Sequence, residues 1–263
     1  MQEYWQIETL LQPSFPNMMW SRPENKAMAV KLLIIGGNAH GFSVPVSAYS
    51  EAQKAGAGSV HVLLPEATKK IVGYKNTDVG FAPSNTSGGF NQQALGEFLN
   101  LSEWSDGCLL SGEMGNNSET VVMVEQFLIK YDGLVVSDYD CIDMLLQFHA
   151  QILKRESTVL VTDINRLQRL QTKAKELHCA NSGMSLANLV INLHEFTINH
   201  KINLVLDFGE YLIVASEGRI ASTKITEHIV PETRLAVHSA VWAIQNPDKI
   251  FEALSCAILT SLE

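Results

Sequence analysis

Short apolar segments alternate with longer segments of helical periodicity along most of the chain. Eight segments have the β-branched and leucine-rich composition of buried strands, at 30–35, 59–64, 108–111, 133–137, 158–161, 202–206, 211–215 and 219–222. Helical periodicity follows at 43–55, 92–101, 118–130, 141–153, 164–177, 185–200, 233–245 and 247–262. Strands separated by helices of this length form right-handed βαβ units. The sequence therefore predicts a three-layer α/β fold, with helices on both faces of a mostly parallel central sheet of about eight strands.

The chain shows no internal boundary. No linker, repeat or change of composition divides its 263 residues, so we expect one domain over 1–263. Residues 1–30 contain Pro13, Pro16 and Pro23 and predict an irregular N-terminal arm.

Composition and charge narrow the class of protein and of partner. A hydrophobic fraction of 46% with 18% charged residues is typical of a packed globular protein. The formal charge of −9, without a cluster of Lys or Arg, argues against nucleic-acid binding. No apolar run is long enough for a membrane span, and the first residues lack the pattern of a secretory signal. We expect a soluble cytoplasmic protein whose four widely spaced cysteines stay reduced, without a metal site.

Two glycine-rich segments follow predicted strands, where ligands bind in parallel sheets. The first contains Gly36, Gly37, Asn38 and His40, and the second contains Gly112, Glu113 and Gly115. Backbone N–H groups there, at the start of a helix, favour a phosphate. Tight turns between strand and helix are the alternative explanation of the same glycines. Neither segment matches the G-x-G-x-x-G or Walker A motif.

Carboxylates follow two further strands. Asp138 and Asp140 predict ligands for a hydroxyl group or Mg²⁺, or a cap for the helix that follows. Thr162 and Asp163 offer a second ligand position, and an N-cap is the alternative. We expect any ligand pocket to lie where Gly37, His40, Gly112 and Asp138 converge.

Taken together, these segments resemble the ADP/ATP-dependent NAD(P)H-hydrate dehydratases of the ribokinase-like superfamily. RPENK at 22–26 followed by KLLIIGG at 31–37 is similar to the family's RPxxxHKG…VLVIGGS. AQKAGAGSVHVLLP at 52–65 is similar to ALRAGAGLVTVAxP. GEMG at 112–115, VVSDYD at 135–140 and VTD at 161–163 fall on GPGLG, VLDADAL and the start of LTPHPGEFARL. The order holds over about residues 22–222.

The resemblance implies a ribokinase-like fold and a specific chemistry. In the family, a nucleotide phosphorylates the hydroxyl of hydrated nicotinamide, which then leaves as phosphate. This implies ADP or ATP with Mg²⁺ as cofactor, a small-molecule nucleotide ligand as partner and a homo-oligomeric assembly. The family's GSGD loop supplies an anion hole and a catalytic Asp.

The sequence departs from the family's motifs at three positions that carry this chemistry. Asp163, Ile164, Asn165 and Arg166 replace the HPGE core, and LDFG at 206–209 replaces LKG, without the lysine. The interval 223–239, which should contain the GSGD loop, has neither Gly nor Asp. Glu227 and Glu232 remain as substitute bases, and Arg234 falls close to the position of the missing Asp.

No catalytic residue is assigned. The sequence therefore predicts a divergent relative that binds a nucleotide or nicotinamide-type ligand with impaired catalysis. An active dehydratase or small-molecule kinase and a non-catalytic assembly subunit are the alternatives.

Overall fold

The computed structural model describes residues 3–20, 22–23, 25–73, 77–225 and 230–263. The strands are β1 Trp5–Glu8, β2 Lys31–Ile35, β3 Ser59–Pro65, β4 Val79–Ala82, β5 Gly107–Leu110, β6 Leu134–Ser137, β7 Thr158–Asp163, β8 Asn203–Phe208, β9 Tyr211–Ser216 and β10 Arg219–Lys224. The helices are α1 Pro16–Trp20, α2 Ser43–Ala55, α3 Lys69–Val72, α4 Leu95–Trp104, α5 Ser118–Lys130, α6 Tyr139–Leu145, α7 His149–Ile152, α8 Ile164–Lys173, α9 Leu186–Asn199, α10 Glu232–Gln245 and α11 Ile250–Ser261.

Within these ranges the strands form one sheet in the order β1-β10-β9-β8-β7-β6-β5-β2-β3-β4. The pairs β8–β9 and β9–β10 are antiparallel, and the other seven pairs are parallel. The prediction of an α/β fold with a mostly parallel sheet is confirmed. The two strands that the sequence did not indicate, β1 and β4, are four-residue edge strands.

The N-terminal arm differs from the irregular segment that its prolines predict. Trp5–Glu8 forms β1, which pairs in parallel with β10. The indole Nε1 of Trp5 donates to Ser222 Oγ at 2.9 Å and fastens the strand to its neighbour. The sequence does not predict this strand because β1 has only four residues, of which only Glu8 is fully buried.

Successive residues of each central strand point to opposite faces of the sheet, and each face carries its own hydrophobic core. Leu33 and Ile35 of β2 pack on one face with the buried sides of α4, α5, α6, α8 and α9. Leu32 and Ile34 pack on the other face with α2, α10 and α11. Strands that are apolar on both faces require helices on both faces of the sheet, because burial of apolar surface is the main contribution to the stability of the fold.

Most predicted helices lie where their periodicity places them. α2 and α5 have the expected bounds, and Gly56 ends α2 at a φ of 99°, the left-handed conformation that favours glycine. The helix expected over 141–153 is instead divided into α6, a 3₁₀ turn at Leu146–Phe148 and α7. The turn allows Leu145, Leu146 and Phe148 all to be buried.

No helix in the described part of the chain has the length and apolar character that a membrane crossing requires.

Candidate functional site

The parallel strands β2, β5, β6, β7 and β8 end at the same edge of the sheet. The predicted ligand-binding residues lie at these ends or in the segments that follow them, where open α/β sheets bind ligands.

The two glycine-rich segments contact each other through their backbones. Gly37 donates its N–H to the carbonyl of Gly112 at 3.0 Å. At Gly36, an added Cβ would lie 2.6 Å from the carbonyl oxygen of Ser111, which is closer than any side chain tolerates. Gly37 has a φ of 79°, in the left-handed region. Glycine is therefore required here for the close approach of two chain segments.

Glu113 lies at the centre of this contact. Its Oε2 accepts the N–H of Val44 at 2.8 Å, and its Oε1 accepts the hydroxyl of Ser43 at 3.0 Å. The side chain of Asn38 donates to the carbonyl of Glu113 at 2.5 Å. A carboxylate of the protein thus lies at the N-terminus of α2, where the sequence predicted a bound phosphate. The hypothesis that α2 presents an open phosphate cradle does not match this geometry.

Asp138 holds the second glycine segment through a hydrogen bond to its backbone. It is buried, and its Oδ2 accepts the N–H of Gly112 at 2.8 Å. It stands at the N-cap position of α6 but makes no side-chain cap hydrogen bond there. Its contact therefore orders the glycine segment instead of capping the helix. The side chain of Asp140 lies outside the described part of the structure.

Asp163 caps α8. Its Oδ1 accepts the N–H groups of Asn165 at 2.7 Å and Arg166 at 3.0 Å. Its Oδ2 also pairs with the guanidinium of Arg166. The neighbouring Thr162 is buried, and its hydroxyl donates to the carbonyl of Asp163 at 3.3 Å. Of the two interpretations of this segment, the geometry supports the N-cap.

Charged side chains surround Arg166. Asp143 pairs with Arg166 at 3.4 Å and with Arg169 at 2.5 Å. Burial acts to lower the pKa of Arg166. The hydrogen bond that its guanidinium donates to Asp163, with the charges of Asp143, Asp163 and Glu232, outweighs burial, so the pKa is raised. Glu232 thus contributes its charge to this cluster from the first turn of α10.

A pocket of about 320 Å³ opens at this edge beside Glu113. It is lined by Asn38, His40, Gly41, Glu113, Met114, Gly115, Asn116, Cys141, Asp143 and Met144. Four of the predicted residues, Asn38, His40, Glu113 and Gly115, meet there. Gly37, Gly112 and Asp138 do not line it, but their hydrogen bonds hold the segment that does.

Six lining residues are not among the predicted site residues. Gly41 and Met114 lie inside the two glycine-rich segments, Asn116 follows Gly115, and three residues belong to α6: Cys141, Asp143 and Met144. All six follow the ends of β2, β5 and β6, and that position is the signal that would have found them.

The interval that should contain the GSGD loop is described only in part. Glu227, one of the two candidate bases, lies among residues 226–229, which the structure does not describe. α10 begins at Glu232 after Pro231, without a side-chain N-cap. Arg234 turns towards α2, where its Nε lies 3.8 Å from Oε2 of Glu51.

Several described carboxylates at this edge are engaged with other groups of the protein. Asp163 is committed to its cap and to Arg166, Asp143 to two arginines, and Asp207 accepts the N–H of Gly209 at 3.1 Å. In the described ranges, no three His, Cys, Asp or Glu side chains group in a way that could hold a metal ion. At nucleotide sites Mg²⁺ is usually held by one or two carboxylates together with substrate phosphates and waters.

Comparison with known proteins identifies the fold of the chain and no closer relationship. No protein-family model matches the sequence, and no curated protein matches it. A ribokinase-like superfamily protein from Enterococcus faecalis superposes with a TM-score of 0.71 at 13% identity, over 99% of this chain and 87% of that one.

Two further solved structures, a dehydratase and a kinase by description, share this fold. The ADP/ATP-dependent NAD(P)H-hydrate dehydratase from Bacillus subtilis, co-crystallised with ATP and Mg²⁺, superposes with a TM-score of 0.64 at 12% identity, over 95% of this chain and 87% of that one. A phosphomethylpyrimidine kinase from Clostridium difficile gives a TM-score of 0.51 at 12% identity, over 84% and 98%. The chain therefore has the ribokinase-like fold, as the sequence resemblance implied.

Proposed function

We propose that this protein binds a nucleotide or nicotinamide-type small molecule in the pocket beside Glu113 and turns it over poorly or not at all. The observation that carries the proposal is the contrast between two halves of the same sheet edge. The segments of Gly36–Gly37 and Gly112–Gly115 interlock and form one wall of a pocket. The segments of Asp163 and Asp207 offer carboxylates instead of phosphate-binding groups.

Phosphoryl transfer depends on positioned donors and cations around the transferred group. The resembled family has HPGE and LKG where this chain has Asp163 and Asp207, whose strands pair directly. Two carboxylates repel a triphosphate. The cation beside Asp163, Arg166, is held by Asp163 and Asp143.

The neighbouring structures support a small-molecule ligand. One of them is a dehydratase co-crystallised with ATP and Mg²⁺, and another is a kinase. The shared fold places the carboxyl ends of the strands in the same architecture, so the pocket of this chain lies where open α/β sheets bind ligands.

The second candidate is an active nucleotide-dependent dehydratase or small-molecule kinase. Glu232 favours it, because this carboxylate stands in the first turn of α10, close enough to Arg166 to raise its pKa. A carboxylate at that helix start is the group that would accept a substrate hydroxyl proton.

Thermal unfolding with ATP, ADP, NADH and NADH hydrate, each with and without Mg²⁺, tests binding. The proposal expects at least one compound to raise the melting temperature, since a ligand that binds only the folded state stabilises it. Absence of any shift would contradict the binding claim. A turnover assay on NADH hydrate separates the two candidates.

Assembly and location remain part of the proposal. We propose a cytoplasmic protein with one domain over 1–263, which assembles as the homo-oligomer that the resemblance implies. Exposed apolar side chains, including Leu11 and Trp20, are available for a subunit contact. Sedimentation at micromolar concentration checks it, and a monomer would contradict it.

A further inference from the structure

The sheet has an open edge at β1. Within the described residues, β1 pairs with β10 on one side and with no strand on the other. Trp5 and Ile7 are the register partners of Ile220 and Ser222, and the N–H of Ile220 donates to the carbonyl of Tyr4 at 2.8 Å. Alternate residues bond to the neighbouring strand in such a parallel ladder. The N–H and C=O groups of Trp5 and Ile7 therefore point away from β10, to the open side.

This edge carries no exposed charge. Trp5, Gln6 and Ile7 are uncharged. Glu8 is buried, and its carboxylate accepts the N–H of Ser14 at 3.2 Å. Lys, Pro and bulges often prevent pairing at the edge of a sheet, and β1 contains none of them. Two copies of a chain with a formal charge of −9 can therefore meet at this edge without a direct contact between like charges.

Exposed apolar side chains flank the edge. Ile7 is 55% exposed, and Leu11, in the turn that follows β1, is 93% exposed. On the helix α9, which packs on β9 and β10, Ile198 is 60% exposed. One turn before it, His194 stacks on Tyr4 with 3.5 Å between the ring centroids. An unpaired strand beside exposed apolar side chains is typical of a protein contact.

We propose that β1 pairs in antiparallel orientation with β1 of a second copy of this chain, so that the two sheets become continuous across a two-fold axis at Gln6. The inference rests on the homo-oligomer proposed above and names the surface through which it forms. In this register Trp5 lies opposite the partner's Ile7, and Ile7 lies opposite the partner's Trp5. Each pair exchanges two hydrogen bonds, so all the open-side groups of β1 are used. A two-fold dimer uses the same patch on both subunits.

Neighbouring registers use the edge less fully. A two-fold axis at Ile7 would pair Trp5 with Thr9, whose N–H and C=O already bond to Gln12 at 3.4 and 3.1 Å. An axis at Trp5 would pair Ile7 with Glu3, which lies outside β1. The axis at Gln6 also places the exposed Glu3 opposite Thr9 instead of opposite another carboxylate.

Sedimentation velocity over a range of protein concentrations tests the contact in two variants. Ile7→Pro removes an open-side N–H but no hydrogen bond to β10, and proline is tolerated at such edge positions. Ile7→Lys places like charges at the joined edges. Each should raise the dissociation constant of the dimer at least about tenfold. The control Ile71→Lys changes another exposed isoleucine, on α3 near the other end of the sheet, and should assemble as wild type does. An unchanged circular dichroism spectrum shows that each variant is folded.

A cysteine at the two-fold axis tests the register. Residues that face each other between hydrogen-bonded pairs have Cα atoms about 4.5 Å apart, a distance that a disulfide spans. Gln6→Cys should therefore form a covalent dimer under mild oxidation, which reductant reverses. The control Gln12→Cys is exposed in the neighbouring turn, off the axis, and should remain largely uncrosslinked.

Two results would overturn the β1 contact while leaving a homo-oligomer in place. One is assembly of wild-type strength in both Ile7 variants, and the other is absence of the Gln6→Cys cross-link in an assembled sample. A wild-type monomer at micromolar concentration would instead overturn the proposed homo-oligomer together with this contact.

Discussion

Asp163 and Asp207 are register partners at the carboxyl ends of β7 and β8. Partial burial of Asp207, followed by the charge of Asp163, raises the pKa of the Asp207 carboxyl above its ordinary value. The N–H of Gly209 opposes this effect by donating to Asp207. Two neighbouring carboxylates at this edge of the sheet oppose the approach of a phosphate, and this repulsion is the physical basis of the proposal that the protein binds a ligand without efficient phosphoryl transfer.

Asp207→Asn should stabilise the protein at neutral pH. A raised pKa in the folded state means that ionisation costs stability once the pH rises above about 4, and the cost persists above the folded pKa. Asn keeps an acceptor for Gly209 and removes the charge. We expect a melting temperature on the order of 2 °C higher at pH 7.5, with the difference shrinking as the pH approaches 4. Calorimetric scans at several pH values check this, and a lower melting temperature at pH 7.5 would contradict it.

Asp163→Ala should destabilise α8. The substitution removes acceptors from the N–H groups of Asn165 and Arg166 and a partner from the Arg166 guanidinium. Loss of such a cap costs about 1–2 kcal/mol. Urea denaturation measures the change in unfolding free energy. Asp163→Asn retains a capping oxygen and should lose less, so equal losses in both variants would argue against the cap.

Gly36→Ala should disrupt the pocket by separating the two glycine segments that form its wall. The new methyl group would meet the backbone oxygens of Ser111 at 2.6 Å and Gly112 at 3.0 Å, which cannot move as a side chain does. We expect a loss of about 1–3 kcal/mol and weaker ligand binding, because the two glycine segments are forced apart. Gly96→Ala is the control, since its Cβ meets nothing within 4 Å on α4. Retention of wild-type stability and affinity by Gly36→Ala would contradict the close-approach argument.

His238 should make the fold sensitive to acid. It is 5% exposed in α10, and burial, then the charge of Arg234, lowers its pKa from 6.5 to about 4. The unfolded chain therefore takes up a proton first as the pH falls, so stability is lost between about pH 6.5 and pH 4. The loss from this group between pH 7.5 and pH 5 is about 2 kcal/mol.

His238→Gln tests this loss while retaining a polar partner for Thr260, whose hydroxyl lies 2.9 Å from Nδ1 of His238. The variant should lose about 2 kcal/mol less than wild type over that pH range. The exposed His178→Gln serves as control and should follow wild type. Parallel urea curves at pH 7.5 and pH 5 decide the matter, and an identical acid loss in His238→Gln would refute it.

Local patterns predicted the elements better than the site. The bounds of α2 follow from helical periodicity and from Gly56, which local chemistry alone requires. β1 was not predictable, because its position depends on pairing with β10 more than 200 residues away. The prediction that Gly112–Gly115 lies near the first glycine segment is also local in origin, since both follow parallel strands.

The roles of individual side chains required the tertiary structure. Nothing in the sequence shows that Glu113 reaches Ser43 and Val44, some 70 residues earlier, and so takes the place expected for a phosphate. Likewise, Asp138 bonds to Gly112 instead of capping its own helix. In both cases polar groups distant in sequence become hydrogen-bond partners only when the chain folds, and local propensity carries no information about that pairing.

The central claim is that ligand binding persists without efficient dehydration. The most direct measurement incubates the purified protein with NADH hydrate, Mg²⁺ and ADP or ATP, and follows the return of NADH absorbance, with thermal unfolding of the same sample as the record of binding. We predict a raised melting temperature with NADH formed at no more than a trace rate. Formation of NADH on the order of once per second per subunit or faster would contradict the claim.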